Sequence, residues 1–209
     1  MPLFVKPAEK LSVKEVAWLM RDHFEDTPMD MRNDIGAGGH NLPYRWRPMH
    51  FSVDGQESLN ERAIATQQTG FWMLGQSRNW LPDAVGGILW FGVDDSGTSC
   101  LTPIYCSVQE VPECFREGNG SMLEYSPTSA FWLFNRVTNF AYMRYDMIAA
   151  DIRKVTDAWE NGLLEEVRGV DARAGEFETA AARRRYLTRF SVGKAQELFA
   201  RWSKLDRYL

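Results

Sequence analysis

Arg62 is the charged side chain that stands out in the long, largely apolar stretch Asn60–Val93, where it follows Glu61. A guanidinium is costly to bury unless a carboxylate or a ligand anion meets its fork of donors. Arg62 therefore needs a carboxylate or a ligand anion as its partner, and which of these it meets is the first question the sequence raises. Gln67, Gln68 and Arg78 could line a pocket near it, although structural roles are expected for each. Three cysteines, Cys100, Cys106 and Cys114, are potential nucleophiles. Their number and spacing fit neither a disulfide framework nor a CxxC zinc site, so reduced, partly buried thiols are expected. Glu25, Asp26, Asp30 and Asp34 resemble a cation site at first. They lack the spacing and closing Glu of an EF-hand, and are expected to act as caps and turn residues. Asn135 and Asn139 stand one helical turn apart and are expected to satisfy loops. The Arg183–Arg184–Arg185 run reads as a solvated face or a set of partners for acidic residues. Neither GxGxxG nor GxxxxGK[ST] occurs, so nothing supports a nucleotide cradle.

The elements that must position these residues follow from periodicity. Ser12 and Glu15 form a capping-box pattern before a helix expected to run to about Phe24. The segment EDTPMDMRNDIGAGGHNLPYRWRP must be a long loop, and loops of that length inside a compact domain often carry function. Met49–Val53 predicts a short strand, and Asp54–Gly55 a hairpin whose second arm leads into the central strands. Arg62 falls on the first of these. Ile64, Thr66, Phe71 and Met73 suit strands, Leu81-Pro82-Asp83 makes a turn, and Ile88–Phe91 reads as a buried strand. After the turn Asp94–Gly97, Thr98–Val108 predicts a further strand region interrupted by Pro103. Roughly five strands joined by short turns favour a largely antiparallel sheet. From Pro127 or Thr128 one long helix is expected to about Glu160, its first half buried against the sheet. A charged helix over Gly175–Leu187 and a last helix opened by Ser191 complete an α+β chain with no linker or repeat.

The totals set bounds. The 209 residues suit one domain or part of a larger one, and 44% hydrophobic with 25% charged residues is a globular composition. A formal net charge of −4 argues against a general nucleic-acid binder. Eight tryptophans promise a large apolar payload. No stretch is apolar enough to span a membrane, and MPLFVKPAEK lacks the apolar core of a signal peptide. Cytoplasmic placement is expected if Met1 is the true start, and export is open if a leader lies upstream.

Four runs in order, LMRDHFEDTPMD, ERAIATQQTGFWMLGQSRNWLPDAVGGILWFGVDD, TPIY and SAFWLFNRVTNFAY, resemble peptidase family C69. These are bacterial dipeptidases of the N-terminal-nucleophile hydrolase superfamily. The resemblance covers most of the chain, with Asp26 standing where Gly is expected in an E-G-T-P pattern. It implies a four-layer αββα fold and hydrolysis of dipeptides or short peptides, with no cofactor and no metal. The implied nucleophile is a cysteine at the first position of the processed enzyme, whose own α-amine is the base. An α-amine titrates near neutral pH and so can accept a thiol proton there. By position in the motif, Arg62 is the family site residue that can be placed, and Glu61 would orient a neighbour. No substrate-binding residue is assigned.

This chain begins Met1-Pro2-Leu3, and its three cysteines are internal. Cleavage before Cys100 would separate the central strands. Residues 1–209 are therefore expected to be a single unit, the C-terminal portion of such a dipeptidase, inactive alone and lacking the catalytic N-terminal portion. Such a unit needs its N-terminal half or self-associates. A second expectation is a non-catalytic homologue acting as a binding or scaffold module, and a third is Pro2 as an N-terminal secondary amine base.

Overall fold

The computed structural model of the chain describes residues 3–34, 36–44, 50–59 and 62–209. Asn60, Glu61, Met49 and Pro2, each assigned a place or role above, lie outside the described residues.

Helix α1 (Val13–Met20) starts at the expected capping box. The Ser12 amide donates to Glu15 Oε2 at 2.6 Å, and the Glu15 amide to Ser12 Oγ at 3.4 Å. The helix stops short of Phe24 because Asp22 competes for the backbone: its Oδ1 accepts from the Phe24 amide at 2.8 Å, and Phe24 turns left-handed at φ 61°. The loop beyond is built by the acidic side chains as expected. Asp30 accepts from the amides of Asp26 and Arg32, and Asp34 from that of Gly36.

Five strands are present among the described residues, in two separate antiparallel sheets. β1 (His50–Val53) and β2 (Gln56–Leu59) form a hairpin on the left-handed pair Asp54 and Gly55. That hairpin stands by itself, and the stretch from Arg62 to Gly70 is loop. The main sheet is β3 (Phe71–Ser77), β4 (Gly87–Val93) and β5 (Thr102–Tyr105), in that order. A four-residue helix, α2 (Asp83–Gly86), fills the β3–β4 connection. Phe71 pairs with Val93 and Ile88 with Tyr105. Pro103 is tolerated because β5 lies at the edge. There the Tyr105 amide donates to Ser191 Oγ at 3.1 Å, so a helix closes that side.

Trp72, Ile88, Trp90 and Tyr105 share one buried face of this sheet. Val13 and Ala17 of α1 and Leu163 and Leu164 of α5 (Leu163–Gly175) border the same small gap as Trp90. The opposite face is less covered: Phe71 and Met73 are 58% and 51% exposed, beside half-buried Leu89, Phe91 and Ile104.

The helical region departs from expectation in three ways. The long helix is broken at Arg144 (φ −147°, ψ 58°) into α3 (Ala130–Met143) and α4 (Tyr145–Glu160). Tyr142 and Tyr145, on either side of the break, both pack against the Tyr44 ring. α5 was not anticipated; its buried Leu163, Val167, Val170 and Ala174 follow helical spacing inside a charged sequence. Finally, α6 (Ala180–Tyr208) is one helix, capped by Thr179, with Ser191 buried in its interior. Trp202 of α6 stacks on Phe134 of α3 with centroids 4.6 Å apart. The α+β composition is as expected.

Candidate functional site

The turn after β4, Asp94-Asp95-Ser96-Gly97, collects side chains from three parts of the chain. Asp95 is fully buried and accepts from the hydroxyls of Tyr44 and Tyr142, the latter at 3.0 Å, and from the Gly97 amide at 2.9 Å. Tyr44 Oη donates to Asp95, so it accepts from His23 Nε2 at 2.8 Å. His23 Nδ1 lies 3.2 Å from Glu25 Oε1, and that hydrogen bond holds the Glu25 carboxyl down to about 2. Gly97 is needed here, since a Cβ would sit 2.8 Å from Tyr44 Oη and 2.9 Å from His23 Cε1. Burial pushes the Tyr44 and Tyr142 phenols well above their ordinary range, so both remain donors.

Asp94 is the second carboxyl of the turn, 3% exposed and left-handed at φ 71°. Asn135 Nδ2 donates to its Oδ2 at 2.9 Å, and Asn139 Nδ2 in turn donates to Asn135 Oδ1 at 3.1 Å. Burial raises the Asp94 carboxyl to about 6, with the neighbouring Asp95 adding to the rise and the hydrogen bonds opposing it. Arg21 braces the turn from outside. Its Nε and Nη2 donate to the carbonyls of Ser96 and Ser99, while Glu160 takes the fork at 2.9 and 2.7 Å.

The residues singled out from sequence are distributed differently. Arg62 is exposed and in the loop before β3, not buried on a strand. The loop is anchored by the amides of Ile64 and Ala65, which both donate to the Asp22 carbonyl. Arg62 makes no hydrogen bond or ion pair with another described residue. Arg78 is structural: it is 7% exposed, pairs with Asp171 of α5 and donates to the carbonyls of Val85 and Gly86. Gln67 is half-buried and Gln68 exposed, both beside the Thr66 hydroxyl. Arg183 donates to the carbonyls of Ala174 and Phe177, closing the end of α5.

The cysteines are free thiols. Cys100 is completely buried and its thiol is pushed far up by burial. Cys114 is buried and pushed up to about 11 for the same reason. Cys106 is exposed at the end of β5. Among the described residues, no cysteine thiol hydrogen-bonds to a histidine. A cavity of about 340 Å³ opens where Phe71 and Phe91 of the sheet meet Phe115 and Phe131.

His23, Tyr44, Asp95 and Tyr142 were not anticipated as a group. His23 and Asp95 stand among other polar residues, and nothing in sequence spacing joins positions so far apart.

The chain belongs to peptidase family C69, whose model matches residues 1–158 and so takes in the segments around His23, Asp94 and Asn135. Three curated relatives resemble it. One is "Probable dipeptidase B" of Lactococcus lactis, 23% identical over 98% of this chain and 38% of its own length. Another is "Probable dipeptidase" of Latilactobacillus sakei, 24% identical over 76% of the chain and 30% of its own length. The third is "Dipeptidase A" of Lactobacillus helveticus, 20% identical over 66% and 24%. The chain thus spans less than two-fifths of the length of each.

Proposed function

We propose that the chain is the C-terminal portion of a dipeptidase whose nucleophilic cysteine is carried outside these 209 residues. Membership of the family and the dipeptidase names of the relatives support the substrate class. The observation that carries the missing nucleophile is the placement of the cysteines. Two are buried with thiols raised by burial, and a thiol is a poor nucleophile until it ionises. Among the described residues none of them hydrogen-bonds to a histidine. In the proposed mechanism the first residue of the processed enzyme attacks the peptide carbonyl, and its α-amine takes the thiol proton and later protonates the leaving amine. Arg62 supplies a fixed positive fork to the substrate carboxylate or to the nucleophile's surroundings.

The part-exposed sheet face supports the same reading. In a four-layer αββα arrangement, that face packs on a second sheet about 10 Å away. The experiment is direct: the purified 209-residue chain should not cleave dipeptides. Cleavage abolished by thiol alkylation would show that the nucleophile lies within it.

A further inference from the structure

We propose that His23, Tyr44 and Asp95 form a pH-sensitive clasp, which holds the segment after α1 on the β4 turn while His23 carries both ring protons and loosens when one is lost. The directions of the hydrogen bonds require that charge state. Asp95 accepts on both oxygens, from the Tyr44 and Tyr142 hydroxyls on Oδ2 and from the Gly97 amide on Oδ1. Tyr44 has one hydroxyl proton and directs it to Asp95. Its oxygen therefore accepts from His23 Nε2 at 2.8 Å, and that nitrogen must carry a hydrogen. The other ring nitrogen, Nδ1, lies 3.2 Å from Glu25 Oε1. Glu25 also accepts from the His23 amide at 3.1 Å on Oε2, and its carboxyl stays ionised down to about 2. Nδ1 must then donate as well, and only the imidazolium donates at both nitrogens.

Burial makes the missing proton hard to replace. His23 is 3% exposed and Tyr44 2%. Gly97 packs on both side chains, with Tyr44 Oη 2.8 Å and His23 Nε2 3.0 Å from where a Cβ would stand. The other groups around the clasp have partners of their own. Tyr142 of α3 donates to Asp95, and Tyr145 of α4 stands edge-on to His23 at 6.4 Å. Asp94 takes the Asn135 amide, Arg21 pairs with Glu160, and Arg32 pairs with Asp26 and Asp30. Arg153 of α4 acts on Tyr145. A neutral His23 would turn a nitrogen lone pair toward an acceptor oxygen, which is costly away from water. The charged ring is lost as pH rises, so the clasp is closed on the acid side and loosens on the alkaline side. Asp22, next in the chain, accepts from the amides of Ile64 and Ala65, so the loosening reaches the loop before β3.

The test is an NMR titration of the 209-residue chain from about pH 5 to pH 9, following the His23 ring nitrogens and the amides of Phe24, Thr27 and Gly97. Asp94, raised to about 6, titrates in the same interval, so the measurement is repeated in Asp94→Asn. Both His23 nitrogens should be protonated at the acid end. Loss of one proton should move the three amides in the same transition and speed hydrogen exchange at Thr27. His23→Gln should abolish that transition. Glu25→Gln, at a part-exposed position, should fold and move the transition to lower pH by about one unit, a tenfold weaker hold on the proton. A His23 ring whose proton count does not change across the range would overturn the proposal. So would amides that stay still while the ring titrates, or a transition unmoved in Glu25→Gln. If His23→Gln does not fold, the Glu25→Gln result decides alone.

Discussion

Asp94 shows how the local environment sets the charge of one group. Its carboxyl is raised from 3.8 to about 6, so the protonated form is favoured in the folded chain. The contribution of this group to stability is greatest below the unfolded value and is lost as pH rises through the folded one. A shift of this size corresponds to roughly 3 kcal/mol. Asp94→Asn removes the titration, so the stability difference between wild type and variant should fall by up to that amount between about pH 4 and pH 7. Urea unfolding across that range checks it, and a flat difference would contradict it. Asp26 is a simpler case. It occupies a left-handed position, φ 61°, which suits Gly, and its carboxylate pairs at the surface with Arg32. Asp26→Gly should be neutral or stabilising by up to about 1 kcal/mol, read by thermal unfolding, since the relieved strain outweighs an exposed ion pair. For Arg62, exposed on an anchored loop, Arg62→Ala should leave folding intact. In the complete enzyme it should lower kcat/KM, and an unchanged rate would make the residue structural.

At the scale of elements, the central strand pair depends on one close approach. Trp72 faces Gly92 across the β3–β4 ladder, and a Cβ on Gly92 would overlap the indole. The same indole donates to Ser99 Oγ at 2.9 Å and has the Arg21 guanidinium 4.9 Å from its ring. Gly92→Ala must therefore displace Trp72 and loosen both the turn and Arg21. We expect destabilisation of about 1–3 kcal/mol in chemical denaturation, with a change in tryptophan fluorescence. The break between α3 and α4 follows the same logic. The apolar stripe runs on without interruption, yet the chain breaks at Arg144: Tyr142 reaches Asp95 from the α3 face that also carries Asn135 and Thr138, and Tyr145 opens α4 near His23.

For the whole molecule, the sheet presents Phe71 and Met73 to solvent, and among the described residues β3 pairs only with β4. An exposed apolar face beside an open edge favours association. The chain alone should self-associate in a concentration-dependent way by light scattering, and Met73→Lys should reduce this with the fold retained. A strict monomer at high concentration would argue that the face needs no cover.

Sequence alone determined the features set by near neighbours. The capping box at Ser12, the Asp54–Gly55 hairpin, the acidic turn residues and the β4 strand all depend on chemistry within a few positions. The ordered motifs likewise placed the chain in its family. Tertiary structure decided the rest, because long-range contacts have no local signature. It merged two expected helices into α6, whose buried residues from Leu187 to Leu205 face one core. It moved Arg62 from a buried strand to an exposed loop pinned by Asp22. It also joined His23, Tyr44, Asp95 and Tyr142, which lie on separate elements and share hydrogen bonds only because burial leaves their polar tips no water.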